Sequence, residues 1–161
     1  MLRFKEILAK YKAELIYIPL IFMADRISKI LALEFLRERF SVSLLPFFKL
    51  TYVENTGAAF GSFQNSNAGL ALAAVVILFA LFKWRDEVIH FGKIARFALI
   101  FIAAGAFGNL YDRIVLGYVV DYFDFIIWPV FNIADSFITV GALLLGYIFI
   151  KDSFKKYKEG K

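Results

Sequence analysis

The chain contains no cysteine and only one histidine among its 161 residues. Without cysteine it has no disulfide, no thiolate metal ligand and no cysteine nucleophile. The histidine, His90, lies in a charged segment between two apolar runs, and a lone histidine does not make a metal cluster. We therefore expect neither a metal nor a cofactor, and carboxylates are the groups that remain for acid–base chemistry.

Apolar residues, by contrast, are abundant. They make up 61% of the chain, with a mean hydropathy of +0.69, against roughly 45–50% in ordinary soluble domains. A hydrocarbon core takes about 20 helical residues to cross, and four windows are that long: about Glu14–Leu36, Ser66–Trp84, Ile94–Ile114 and Phe131–Ile150. The pattern predicts an all-α polytopic membrane protein with four transmembrane helices, residues 1–161 forming one domain. Charges interrupt the first window, so we expect a retained helix and no cleaved signal peptide.

The basic residues are unevenly distributed about these windows. Thirteen of the nineteen lysines and arginines lie before the first window, between or at the facing ends of the second and third, or after the fourth. Basic residues mark the cytoplasmic side of membrane proteins, so the sequence predicts cytoplasmic termini and a cytoplasmic middle loop. The net charge of +5 is thus an orientation signal, and no nucleic acid is implied.

The two remaining connections are predicted on the outer side. In residues 40–63, apolar or aromatic side chains recur at every second position on both sides of Pro46. This pattern indicates short strands ending at the "NTG" turn and a small sheet lying on the membrane surface. The second connection, "LGYVVDYFDFIIWPV", is aromatic and suits a loop or short helix at the interface. The basic end, "KDSFKKYKEGK", is predicted to be loosely structured.

Ionisable residues within the windows each cost roughly 2.5–3.5 kcal/mol at mid-membrane, so each needs a partner or a function. Asp25 and Lys29 have the spacing and order of a helical ion pair, which favours a structural role, whereas Arg26 and Ser28 are predicted to point elsewhere. In "NIAD", Asn132 is a good helix cap and Asp135 suits the first turn, although a second role for Asp135 remains open.

Asn109, Asp112 and Arg113 lie within one turn near the outer end of the third window, and Gly105 and Gly108 would admit a neighbouring helix. Either Arg113 reaches the interface and Asn109 bonds across helices, or both are fixed donors for a bound peptide.

Asp121 and Asp124 are three residues apart in the second connection. They would face opposite ways in a strand and share a face in a helix. Two carboxyls brought close together share one proton, and such a pair can activate water. From residue types alone an aspartic hydrolase, a transporter or proton relay, and a structural protein all stay open.

Five motifs follow one another along the chain: "DRISK" (25–29), "VENTGAAFG" (53–61), "GNLYDR" (108–113), "GYVVDYF" (117–123) and "FNIADS" (131–136). In this order they resemble the bacterial lipoprotein signal peptidases, or signal peptidase II, which are four-helix membrane aspartic peptidases. The resemblance implies a diacylglyceryl-modified prolipoprotein as substrate, cut before its lipidated cysteine, and a monomer among membrane lipids with its site near the outer leaflet of the bacterial inner membrane.

The same resemblance implies roles for individual residues. The catalytic pair would be Asp121 and Asp135. Substrate-holding or pair-supporting positions would be Asn55, Asn109, Arg113 and Asn132, and mainly structural positions would be Asp25, Lys29 and Asp112.

Overall fold

The computed structural model describes residues 2–57 and 66–160. Five helices and three strands follow in the order α1 (Leu2–Leu36), β1 (Ser41–Leu45), β2 (Phe48–Asn55), α2 (Asn67–Lys83), α3 (Arg85–Ile89), α4 (Lys93–Val115), β3 (Val119–Asp124) and α5 (Ile133–Glu159). The structure is therefore mostly helical with one small sheet, and each apolar window forms the larger part of a helix.

Helix α4 lies at the centre and packs against α1, α2, α3 and α5. Its buried face consists largely of alanine and glycine, which lets neighbouring backbones approach closely. A Cβ atom on Gly105 would overlap the carbonyl oxygen of Ala134, and one on Gly108 would lie 2.6 Å from a carboxylate oxygen of Asp25. The prediction that these two glycines admit another helix is confirmed.

The exterior is apolar and much of the interior is polar. No residue of α2 is buried, and large apolar side chains such as Leu72, Phe79 and Leu143 are exposed, whereas Asp25, Lys29 and other charged side chains are buried. Among the described helices, α4 and α5 are long and apolar enough to cross a membrane, while α2 is apolar but shorter. This distribution is the one that a lipid solvent favours.

The sheet has the antiparallel order β1-β2-β3. Strands β1 and β2 confirm the prediction from alternation, and residues 58–63 of the predicted β region lie outside the described residues. The third strand is a correction, because a loop or short helix was predicted there. It is held in place by pairing with β2 from Lys49 to Asn55, and by Val120 and Tyr122, which pack on Ala32 and Leu36 of α1.

The C-terminal segment is also a correction, because α5 continues to Glu159 where a loosely structured tail was predicted. Pairs of opposite charge four residues apart support this last part of the helix: Asp152 with Lys156 at 2.8 Å and Lys155 with Glu159 at 3.7 Å. Lysines in the final turn also suit the negative end of the helix dipole.

Candidate active site

A cavity of about 620 Å3 lies where β2, β3 and the end of α4 meet the start of α5. Apolar side chains of α2, α4 and α5, among them Leu70, Ile77 and Ile102, form most of its wall. Its polar lining is Asn55, Asn109, Arg113, Asp121, Asp135, Ser136 and Thr139. The structure thus brings both predicted catalytic carboxyls and three of the predicted supporting residues to one cavity.

Asp121 lies on β3, opposite Val53 of β2, and its side chain is buried. One carboxylate oxygen accepts a hydrogen bond from Asn55 Nδ2 at 2.8 Å, and the other accepts from Asn132 Nδ2 at 2.6 Å. Burial, together with the nearby charge of Asp135, raises the pKa of Asp121 from 3.8 to about 7, although these two amides and the charge of Lys29 oppose the shift. Asp121 is therefore poised to hold a proton near neutral pH.

Asp135 lies in the first turn of α5 and forms the predicted capping box with Asn132. Its backbone N–H donates to Asn132 Oδ1 at 2.8 Å, and its Oδ2 accepts from the Asn132 backbone N–H at 3.3 Å. Its other oxygen accepts from Asn109 Nδ2 at 2.7 Å. The capping prediction is confirmed, and the remaining contact shows that Asp135 is held from two helices.

Asn132 connects the two carboxyls. Its side-chain amide donates to Asp121 and, at 3.2 Å, to Asn109 Oδ1, while its backbone N–H donates to Asp135. Asn109 completes the link from α4, because its amide nitrogen donates to Asp135. Each carboxyl is thus fixed by two donors, and the pair is built on a shared frame.

Beneath this frame lies a buried ionic cluster formed by Asp25, Arg26, Lys29 and Asp112. The ammonium group of Lys29 has three acceptors, one for each of its protons: Asp25 at 3.0 Å, Asp112 at 2.8 Å and Asn109 Oδ1 at 2.9 Å. Because the Asn109 oxygen faces Lys29, its amide nitrogen faces Asp135. Lys29 therefore orients a group that holds Asp135.

The same cluster joins four elements of the fold. Asp25 accepts from the backbone N–H of Ala134 at 3.0 Å, at the positive end of α5, and Asp112 accepts from the backbone N–H of Val120 in β3 at 3.3 Å. The expected ion pair of Asp25 with Lys29 is present. These contacts support a structural role for Asp25, Lys29 and Asp112.

Arg26 was predicted to point elsewhere, and that prediction is wrong. Its guanidinium group donates to Asp112 at 2.5 Å and to Asp25 at 3.1 Å, and it lies over the ring of Tyr111 at 4.8 Å. Neighbouring positions on one helix diverge by about 100°, but the arginine side chain is long enough to bend back to a carboxylate on α4. Sequence spacing within α1 does not reveal that partner.

The charges of this region nearly balance. Asp25, Asp112, Asp121 and Asp135 supply four carboxyls, and Arg26, Lys29 and Arg113 supply three cations. One proton on the Asp121–Asp135 pair makes the set electrically neutral, which is the state that a low-dielectric interior favours.

Arg113 offers donors to the cavity. One terminal nitrogen donates to the carbonyl of Gly57 at 3.2 Å and the other contacts the carbonyl of Asn109 at 3.5 Å, whereas Nε is buried and has no hydrogen-bond partner among the described residues. A buried donor without a partner is costly. Arg113 thus places a guanidinium group in the cavity wall.

Asp124 does not join the pair. As expected for an extended segment, it faces away from Asp121, and it accepts from Thr51 Oγ1 and from the backbone N–H of Ile126, each at 2.8 Å. Those two donors belong to the sheet and to the loop that follows it.

Several known proteins resemble this chain. The family model for signal peptidase (SPase) II matches residues 17–151. A lipoprotein signal peptidase of Clostridioides difficile is 45% identical over 139 residues, covering 81% of this chain and 90% of the relative. Another lipoprotein signal peptidase, from Caldanaerobacter subterraneus subsp. tengcongensis, is 40% identical over 142 residues, covering 84% of this chain and 94% of the relative. A bacterial membrane enzyme of known structure superposes with a TM-score of 0.77 at 27% identity, covering 90% of this chain and 92% of that one.

Proposed function

Because the chain belongs to the signal peptidase II family and is an aspartic peptidase of the bacterial membrane, we propose that Asp121 and Asp135 are its catalytic pair. One observation carries the proposal: Asn132 binds both carboxyls, Asp121 through its side chain and Asp135 through its backbone N–H, at the edge of one cavity. The relatives' names support the peptidase prediction, and none of these findings favours a transporter or proton relay.

The reaction follows from one shared proton. Asp121 holds the proton and donates to the carbonyl oxygen of the scissile peptide, while ionised Asp135 takes a proton from water, whose oxygen attacks the carbonyl carbon. Asp135 then gives its proton to the departing nitrogen, the C–N bond breaks, and the proton on the former carbonyl oxygen returns to Asp121. The pair ends as it began, and no other group has to supply or accept a proton.

The substrate class follows from the family together with the shape of the cavity. The relatives' name, lipoprotein signal peptidase, supports a prolipoprotein carrying a diacylglyceryl cysteine, cut immediately before that cysteine. Helical peptide must unwind before cleavage, and unpaired backbone is tolerated at membrane depth only inside a polar protein pocket. The amides and Arg113 supply the polar part, and the apolar wall formed by α2, α4 and α5 suits a signal helix or acyl chains.

The arrangement in the membrane belongs to the same proposal. Residues 1–161 form one domain of four spans, α1, α2, α4 and α5, which works as a monomer with the sheet and the cavity near the outer leaflet. The distribution of basic residues supports cytoplasmic termini. The ion pairs of Glu14 with Arg85 and Arg96 also support this orientation. They place charged groups at the ends of α1, α3 and α4 that lie away from the sheet.

The proposed orientation predicts a labelling pattern that a cysteine-free chain allows to be measured directly. In Lys158→Cys the thiol should react with a membrane-impermeant maleimide only after the membrane is permeabilised. In Ile127→Cys, whose parent side chain is 94% exposed beside the cavity, it should react in intact cells or spheroplasts. The reverse pattern would overturn the orientation.

The function itself is tested with the purified protein and a lipidated prolipoprotein. We expect release of the signal peptide, seen as a gel shift, and no cleavage of the same precursor without its diacylglyceryl group. A precursor that stays intact in both forms would contradict the proposed activity.

Removal of the proposed substrate donors should slow cleavage without unfolding the protein. Arg113→Ala removes a partly buried guanidinium group, and Asn55→Ala removes an amide that contacts Asp121. Each change should cost about 1–3 kcal/mol in kcat/KM, which is the cost of leaving a buried polar group unpaired. Cleavage rates on detergent-solubilised protein with parental melting behaviour measure this, and unchanged rates in both variants would exclude both residues from substrate binding.

The pH dependence should carry the signature of Asp121. Because its pKa is raised to about 7, we expect activity to fall as the pH rises through 7 and the shared proton is lost. The limbs of the profile belong to the pair and not to one residue. A plateau extending unchanged to pH 9 would contradict a shared proton.

Stability provides an independent check on the same group. Because the pKa of Asp121 is higher in the folded protein than in the unfolded chain, protonation of Asp121 stabilises the fold. This stabilisation is present at low pH and is lost as the pH rises through 7. That contribution should be absent in Asp121→Asn, which serves as the matched control in thermal melts at pH 5 and pH 8.

A further inference from the structure

The loop between β3 and α5 closes one side of the cavity. Residues 128–131 of this loop line the cavity, and Phe131 returns to the sheet, where it exchanges backbone hydrogen bonds with Phe123 at 2.8 and 3.1 Å. The ring of Phe125 stacks on that of Phe131 at 5.9 Å and packs on Phe48 at 4.7 Å. Both ends of the loop are therefore fixed to the sheet, and its middle faces the substrate space.

The loop begins with an uncommon backbone conformation. Ile126 has a φ of +68°, in the left-handed region that β-branched residues rarely adopt. Such a conformation persists only when surrounding contacts hold it. The residue after it, Ile127, is almost fully exposed, and Trp128 follows at the cavity wall. The direction of the loop is therefore set at Ile126.

Two contacts hold this turn: the backbone N–H of Ile127 donates to the carbonyl of Phe125 at 2.7 Å, and the side chain of Asp124 supplies the other. One carboxylate oxygen accepts from the Ile126 backbone N–H at 2.8 Å, and the other accepts from Thr51 Oγ1 of β2 at 2.8 Å. Thr51 Oγ1 in turn lies 2.9 Å from Ser41 Oγ of β1. The carboxylate thus ties the left-handed turn to the two neighbouring strands, and the proposed mechanism does not use it.

We propose that Asp124 is a positioning residue that fixes residues 125–131 over the cavity and thereby sets how tightly the peptide is bound. The inference rests on the proposed function of the cavity. Asp124 acts on substrate binding, and the chemical step stays with the Asp121–Asp135 pair.

Kinetics with three variants test this. Asp124→Ala should raise KM about 2- to 12-fold, the range that corresponds to loss of the hydrogen bond from the Ile126 N–H, with a smaller change in kcat. Asp124→Asn should restore most of the lost affinity, because its amide oxygen still accepts from the Ile126 N–H. Adding Ile126→Gly to Asp124→Ala should also recover affinity in part, because glycine adopts a positive φ without support.

A structural measurement separates this inference from the proposed function. The chain has two tryptophans, so Trp84→Phe leaves Trp128 as a single fluorophore beside the cavity. In that background, Asp124→Ala should increase quenching of Trp128 by acrylamide, and Asp124→Asn should not. This result requires no catalysis, so it stands even if cleavage assays were to reject the proposed activity.

Parental KM together with parental Trp128 quenching in Asp124→Ala would overturn the proposal and leave Asp124 as a solvated acid. A lower kcat at parental KM would overturn it as well, because Asp124 would then act on the chemical step. If Asp124→Ala fails to insert, Thr51→Val takes its place. It removes only the contact with the strand and should move KM and quenching in the same direction.

Discussion

Asp121→Asn and Asp135→Asn are each expected to abolish prolipoprotein cleavage. An amide can neither take the proton of the attacking water nor pass a proton to the departing nitrogen, and this role contributes about 10²–10⁴-fold to the rate. Both carboxyls are fixed only by donors, Asn55 and Asn132 for Asp121 and Asn109 and Asn132 for Asp135. An amide nitrogen at either position would also face another N–H group, which disturbs the geometry of the pair.

The double variant should be little worse than either single variant, because the two residues act as one unit. All three proteins should still insert into the membrane, since loss of a buried charge lowers the cost of insertion. Gel-shift assays of processing, together with melting curves in detergent, measure both points.

Asp152→Asn is the matched control for the chemistry, because it makes the same change at an ion-paired carboxyl far from the cavity and should leave cleavage intact. An active Asp135→Asn would remove the aspartic mechanism. An active Asp121→Asn beside an inactive Asp124→Asn would move the catalytic role three residues along the chain.

Asp25→Ala should produce the largest loss of stability of any single change in the ionic cluster. The carboxylate accepts from Lys29, Arg26 and the backbone N–H of Ala134. Its removal leaves two buried cations with one carboxylate, Asp112, and an unpaired N–H at the start of α5. Removing one partner of a buried ion pair costs about 3–5 kcal/mol, which is a large share of the 5–15 kcal/mol that typically stabilises a domain.

The chain contains a close control for this experiment. Asp152 and Lys156 have the same spacing on a helix as Asp25 and Lys29, with nitrogen–oxygen distances of 2.8 and 3.0 Å. Asp25 and Lys29 are both buried, whereas Lys156 is exposed and Asp152 is only partly buried. Asp152→Ala should therefore leave the melting temperature unchanged while Asp25→Ala lowers it strongly. A well-folded but inactive Asp25→Ala protein would show that this residue takes part in catalysis and contradict the structural role.

The parts of the fold that follow local rules were predictable from the sequence. The long apolar windows predicted the four principal helices, and the alternation of apolar side chains predicted β1 and β2. The spacing of Asn132 and Asp135 predicted the capping box. Each of these signals lies within one short segment, where period and capping chemistry determine the structure.

What could not be predicted depends on partners that are distant in sequence. Val119, Val120 and Tyr122 form a short apolar run that becomes a strand only because β2 and α1 cover it, and a run of this kind has no period that separates strand from helix. Arg26 has its carboxylate partner 86 residues away, and the amide of Asn109 bridges to Asp135 in another helix. Residue types suggested these side chains, but only the packed structure gives their pairing.

The ionic cluster has a consequence for the order in which the protein is made. Arg26 of α1 binds Asp112, which emerges from the ribosome 86 residues later, and Asp25 binds the N–H of Ala134, 109 residues later. At about 5–20 residues per second, α1 waits roughly 5 to 20 s for its last partner. During that interval only the contacts of Asp25 with Lys29 and Arg26, which form within α1 itself, neutralise the charges of the cluster. These local contacts thus allow α1, which carries Asp25, Arg26 and Lys29, to enter the membrane before the rest of the cluster exists.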